Sequence, residues 1–268
     1  MTAPASSVTA RELVCCERDG AVARLTLARP ERHNSLVPDL LDGLLAHLEA
    51  IRTDDRIRAV VLAAEGRSFS TGGDVRGFHD QPPAELHGYA ADLVGLLNRT
   101  ILALMDLPQP VIARLQGPVT GGSIGLVLAA DLVAAVPEAF FAPYYVSVGF
   151  APDGGWTAIL PDRIGVQRAR EIQLLNRHVS AAEAQALGLV TEVVPADRID
   201  ARIAEWLATL DGHVASGVRA AKRRLLPDWR RAAYAAGLEC ERRAFLAEVT
   251  RPEVREGMAR FLDRRMAG

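Results

Sequence analysis

The sequence predicts an α/β fold closed by a helical tail. Three observations carry that expectation. Short β-branched apolar runs alternate with helical periodicity over roughly the first 200 of the 268 residues. From about residue 198 onward only helical patterns remain. Two glycine-rich turns, SFSTGGD (68–74) and GPVTGGSIG (117–125), each directly follow a buried-type apolar run.

Taken in order, Glu12–Glu17 and Ala21–Leu27 read as two strands around Asp19-Gly20, a strong hairpin signal. Pro30 stops the second strand, and ERHNSLVP forms a loop. Pro38–Arg52 carries leucines at 40, 41, 44, 45 and 48, a helical stripe with proline in its first turn. Arg58–Ala63 is a buried strand ended by Glu65-Gly66, and the first glycine turn follows it. Ala84–Met105 is a long amphipathic helix that stops at Leu107-Pro108. Pro110–Leu115, the second glycine turn and an alanine-rich segment to Asp131 form a strand, a tight turn and a buried helix. Strands at Leu132–Val136 and Ala139–Phe141 come next, then the loop PYYVSVGFAPDGGW. Beyond Trp156 one strand, Leu189–Val194, interrupts helices that end with 198–210, 214–226, 230–248 and 252–266.

Composition excludes several classes. At 49% hydrophobic and 24% charged, the chain can build a large core. A net charge of −2, with arginines scattered and Lys222 the only lysine, offers no footprint for nucleic acid. Three cysteines, two of them the adjacent Cys15-Cys16, make neither a disulfide framework nor a C-x-x-C metal site. His33, His79, His87 and His178 lack metal-ligand spacing, so no metal is expected. The start MTAPASSVTAREL has no signal-peptide pattern, and the longest apolar stretch, Ser123–Ala142, is broken by Asp131, Pro137 and Glu138. A cytoplasmic protein with no membrane partner is expected.

The two glycine turns are the chemical clue. Main-chain N–H groups at Gly72-Gly73 and Gly121-Gly122 can point at one oxygen, and the start of a helix leaves such donors unpaired. Two donors of this kind stabilise an oxyanion or enolate, and losing one costs about 2.7–4 kcal/mol in the transition state. A thioester, whose carbonyl becomes an enolate when an α-proton leaves, suits them. On the same residues, Gly121-Gly122-Ser123-Ile124-Gly125 matches the G-x-S-x-G elbow of serine hydrolases, with Ser123 as nucleophile, Asp153 as acid and His178 or His213 as base. That reading leaves SFSTGGD without a role. A dinucleotide or P-loop reading fails on spacing.

The same residues resemble the crotonase, or enoyl-CoA hydratase/isomerase, superfamily over nearly the whole chain. ARPERHNSL is similar to the family's segment near the adenine end of coenzyme A. SFSTGGDVRGF resembles its first oxyanion turn, with Gly73 as donor, and QGPVTGGSIGLVLAADL its second, with Gly122 as donor. VGFAPDGGW resembles the loop that carries acid/base residues, and EGMARFLDRR the C-terminal signature. The resemblance implies a crotonase-like ββα spiral core over 1–197 and a C-terminal helical trimerisation region over 198–268. It implies acyl-CoA thioesters as substrates, a homotrimer or dimer of trimers, and no cofactor beyond the coenzyme A of the substrate. Substrate contacts are then expected from Arg32, Ser35, Leu36, Ser70, Gly72, Asp74, Val75 and Gly121. Lys222, Phe261 and Arg264 are expected as C-terminal contacts to coenzyme A.

The departures direct the expected chemistry. Family hydratases carry two glutamates, and the corresponding positions here are Gly125 and Tyr145. Asp153, eight residues beyond Tyr145, stands where the resemblance places the proton-shuttling acid of some isomerases and the nucleophile of a dehalogenase. Asp153 competes with a role as a turn or helix cap, Tyr145 either orients substrate or packs, and Asp74 braces the first turn. The expected activity is double-bond isomerisation through Asp153. Alternatives are an atypical hydratase, an acyl-CoA hydrolase or dehalogenase, a non-catalytic acyl-CoA binder, and the Ser123 hydrolase.

Overall fold

The computed structural model describes residues 12–266, and the side chains of residues 12–263. Residues 1–11 of the N-terminal segment and the expected contact of Arg264 lie outside that range. Among the described residues nine strands form in order: β1 (Val14–Asp19), β2 (Val22–Leu27), β3 (Ala59–Ala64), β4 (Val111–Leu115), β5 (Val119–Thr120), β6 (Leu132–Ala135), β7 (Phe140–Ala142), β8 (Val179–Ser180) and β9 (Glu192–Val193). The main sheet runs β1-β2-β3-β4-β6-β9, antiparallel only at the β1–β2 hairpin and parallel from there on. A smaller sheet, β5-β7-β8, sits beyond it.

β3 (AVVLAA) is buried at all six positions, as a parallel strand covered on both faces must be. Around the sheet lie α1 (Pro38–Arg52), α2 (Val75–His79), α3 (Pro83–Asp106), α4 (Ile124–Leu128), α5 (Tyr145–Val148), α6 (Leu160–Ile164), α7 (Val166–Leu174) and α8 (Ala181–Ala186). The tail supplies α9 (Ile199–Asp211), α10 (Ala215–Leu225), α11 (Asp228–Val249) and α12 (Pro252–Met266). In α3 the buried residues Leu86, Ala90, Leu93, Leu97, Ile101 and Leu104 make one helical stripe toward the core.

The sheet explains why the two glycine turns meet. β3 and β4 are parallel neighbours, with Val60 opposite Val111, so both chains leave at the same edge. The segments after them are stitched together by a Ser70–Val119 bridge, and the first turn is bridged to Leu36 at Gly73.

Several elements differ from expectation. The helix after the second glycine turn is short: a 3-10 turn over Gly121–Ser123 leads into α4, which ends at Leu128. The expected strand Leu189–Val194 shrinks to β9: only Glu192 and Val193 pair in register with Ala134 and Ala135 of β6, while Thr191 and Val194 add single hydrogen bonds to Val133 O and Ala135 O. A short helix, α2, forms directly after the first glycine turn, and α3 starts at Pro83, one residue before the expected Ala84. Tyr145–Val148, inside an expected loop, forms the short helix α5.

Candidate active site

Pairing to Leu36 orients the first glycine turn. The Leu36 N–H donates to Gly72 O (2.8 Å) and the Asp74 N–H donates to Leu36 O (3.1 Å). Alternation along an extended segment then turns the N–H of Gly73 to the opposite side, where Gly73 lines a cavity of about 270 Å³. On the second turn Gly122 is the second residue of the 3-10 helix Gly121–Ser123, inside the first turn where N–H groups have no intrahelical partner, and it lines the same cavity. The turns touch: a Cβ on Gly72 would lie 3.2 Å from Gly122 N and 2.6 Å from Thr120 O. Gly72 and Gly121 also adopt φ of 75° and 53°, which favour glycine.

Asp153 stands against the second turn. Its Oδ1 lies 2.7 Å from where a Cβ on Gly122 would be, beside Leu97 Cδ2 at 2.8 Å. Tyr145, buried, donates its hydroxyl to that Oδ1 at 2.6 Å. Burial pushes the Asp153 carboxyl up to about 7, the Tyr145 hydroxyl opposes that rise, and the negative Glu241 adds to it. Tyr145 is held well above its ordinary value by burial and by the Asp153 charge, so it stays a donor. A carboxyl poised between its two forms at a cavity that both glycine turns line can take up a proton and return it.

The rest of the cavity divides by chemistry. Phe78, Leu93, Val94, Leu97, Phe150 and Phe245 supply apolar wall. Arg32, Ser35, Leu36, Asp74, Val75, Gly121 and Phe261 also line it. Asp74 caps α2 through the Gly77 N–H (3.4 Å). It also accepts from Arg29 (3.1 Å) and Arg32 (3.2 Å). Burial alone would raise its carboxyl, but the Arg32 and Arg29 charges win and hold it below its ordinary value.

Three expected contacts are placed elsewhere. Ser70 is buried under the turn and donates to Asn34 O at 2.7 Å. Gly72 shapes the turn through its carbonyl without lining the cavity. Lys222 also lies outside it: the ammonium donates to Asp131 Oδ2 (2.7 Å) and Gln109 O (2.9 Å) near the start of β4. Burial lowers its pKa and Asp131 counters that fall.

The Ser123 hydrolase reading is overturned. The Ser123 hydroxyl is fully buried and donates to Ser70 O (2.9 Å) and Thr120 O (2.8 Å), away from the cavity. His178 stacks on Phe140 at 5.0 Å and His213 is exposed, so neither serves as its base. Gly125 is likewise packed shut: a Cβ there would collide with Ile101 and lie 2.6 Å from Gly154 O. No acidic side chain fits at that position without repacking.

Sequence reasoning missed three residues that hold the site. Arg29 braces Asp74 and donates to Ser35 Oγ at 2.6 Å. Trp156 donates its indole N–H to Gly121 O at 2.8 Å. Glu241 accepts hydrogen bonds from the segment after Asp153. A signal for Glu241 was present, since it lies on the stripe 234-238-241-245-249, a charge on an otherwise apolar buried face. Among the described residues no cluster of His, Cys, Asp and Glu could hold a metal, and no helix is long and apolar enough to cross a membrane.

A mixed α/β fold with two glycine turns at one cavity is the arrangement that the resemblance to the crotonase superfamily implies. A family model described as Enoyl-CoA hydratase/isomerase matches residues 17–268, and the chain belongs to that family. It is 37% identical over 224 residues to a probable enoyl-CoA hydratase, echA12, of Mycobacterium bovis, covering 82% of this chain and 79% of that protein. It is 32% identical over 192 residues to 4-chlorobenzoyl coenzyme A dehalogenase-2 of an Arthrobacter species, covering 72% of this chain and 70% of the relative. Among solved structures, a monofunctional enoyl CoA isomerase from M. smegmatis superposes with a TM-score of 0.67 at 35% identity, covering 80% of this chain and 92% of that one.

Proposed function

We propose that this enzyme moves the double bond of an enoyl-CoA by proton transfer. The ionised Asp153 carboxylate takes a proton from C2 of a 3-enoyl thioester. The electron pair shifts to the carbonyl oxygen, which the Gly73 and Gly122 amides hold as an enolate. Asp153 then returns the proton to C4 and the conjugated 2-enoyl thioester leaves, with no atom gained or lost. The observation that carries this reading is the Asp153 carboxyl, buried against the second glycine turn at the cavity with its pKa raised to about 7, beside a hydratase position packed shut at Gly125. Arg32, Ser35, Leu36 and Phe261 would hold the coenzyme A portion, and their place along the cavity supports that assignment. The reading extends to a homotrimer or dimer of trimers. Leu174 (73% exposed), Leu175 (72%) and Trp229 (67%) support burial of surface between copies.

The test is incubation with 3-enoyl-, 2-enoyl- and aromatic acyl-CoA thioesters, followed by absorbance and mass. Wild type is expected to convert 3-enoyl to 2-enoyl thioester at constant mass. Asp153→Asn is expected to lose about 10²–10⁴-fold in rate. Addition of water to the product, or turnover surviving in Asp153→Asn, would refute the reading.

A further inference from the structure

Glu241 is buried (4% exposed) on a face of α11 whose other buried members, Tyr234, Leu238, Phe245 and Val249, are large and mostly apolar. A carboxylate in such a place is costly unless hydrogen-bonded, and here it is fully engaged. Its Oε2 accepts from the Gly155 N–H at 2.8 Å. Its Oε1 accepts from the Thr157 N–H (2.7 Å), the Thr157 hydroxyl (2.7 Å) and the Ala158 N–H (2.9 Å). All four donors lie within five residues after Asp153. Gly154 and Gly155, at φ of 63° and 91°, give this segment little preference of its own. Its path is therefore set by what it is tied to: Glu241 on one side, and on the other the Trp156–Gly121 bond at 2.8 Å.

We propose that Glu241 is a positioning residue, which through residues 155–158 holds the Asp153 carboxyl at the second glycine turn. Its charge acts as well. Glu241 joins burial in opposing ionisation of Asp153, while the Tyr145 hydroxyl favours it. Tyr145 of α5 and Glu241 of α11 are the side chains whose hydrogen bond or charge shifts Asp153, and Leu97 of α3 packs beside it against the second turn. The inference rests on Asp153 being the reacting group.

Glu241→Gln keeps the shape and one acceptor oxygen and removes the charge. Its ordering bonds weaken and the repulsion toward Asp153 disappears. Affinity for free coenzyme A, measured by calorimetric titration, is expected to stay nearly unchanged. The kcat should fall about 10- to 100-fold, as a small misplacement of a reacting group does. The titration midpoint of Asp153, followed by NMR of carbon-13-labelled aspartate carboxyls, should move to lower pH. Asp153→Asn, run alongside, assigns that signal and separates the two claims. If Asp153→Asn keeps turnover, the proposed reaction fails, while the NMR midpoint still tests Glu241. A wild-type kcat with an unmoved midpoint overturns the inference. So does a fall in kcat matched by an equal loss of coenzyme A affinity with the midpoint unmoved. Should Glu241→Gln fail to fold, Thr157→Val removes one donor and keeps the charge. It is expected to lower kcat several-fold at unchanged coenzyme A affinity, and an unchanged kcat overturns the inference.

Discussion

In the proposed reaction the buried carboxyl of Asp153 sets stability and activity against each other, and pH separates them. Its pKa is raised from 3.8 to about 7 in the folded chain. Between those values the native state holds a proton that the unfolded chain has released, so stability falls as pH rises through that window. Moving a titration midpoint by one pH unit corresponds to about 1.36 kcal/mol. The cost is small near pH 4 and reaches on the order of 4 kcal/mol above pH 7. Asparagine is isosteric, accepts the Tyr145 hydroxyl and never ionises. Asp153→Asn should therefore be more stable than wild type at pH 8, and the difference should shrink by roughly 3 kcal/mol on going to pH 5. Urea denaturation at pH 5, 6.5 and 8, at one fixed protein concentration and with tryptophan fluorescence, measures this directly. A wild-type/variant difference that is independent of pH would refute the argument, because it would mean the carboxyl ionises at the same pH folded and unfolded. The same raised pKa requires kcat/KM of the wild type to rise with pH through about 7, as the basic form of Asp153 accumulates.

Two further outcomes follow from neighbouring contacts. Tyr145→Phe removes the hydroxyl that lowers the Asp153 pKa, so the acid limb of the kcat/KM profile should move to higher pH; an unmoved or lowered limb counts against the 2.6 Å bond. Gly125→Glu, which restores the carboxylate of a hydratase, should destabilise the fold by about 1–3 kcal/mol or more through overpacking against Ile101. It should add no water to 2-enoyl-CoA, read by thermal unfolding and by mass; a stable, hydrating variant would show that the packing around Gly125 yields.

Legibility followed the range of the interactions. The alternating strands, the leucine stripe of α1 and the glycine turns were readable because each depends on a local period or on a residue with unusual backbone freedom. Gly73, Gly122 and Asp153 stand out in the sequence as motif positions of the family resemblance, and all three line one cavity. Helix ends shifted by a residue or two, and α2 and α5 were missed because five and four residues are too few to show a period.

The sequence by itself determined the fold class, the family and the two turns that carry main-chain donors. Only the tertiary structure decided that those turns meet, since parallel pairing of β3 with β4 brings them to one edge and one cavity. It also decided that Ser123 is spent on carbonyls and Gly125 is walled in by Ile101. Lys222, likewise, is spent on Asp131. Glu241, 88 positions beyond Asp153 in the chain, became visible as its support only in three dimensions. The physical reason is that a carboxyl's pKa and a hydroxyl's partner depend on groups that are near in space and far apart in sequence.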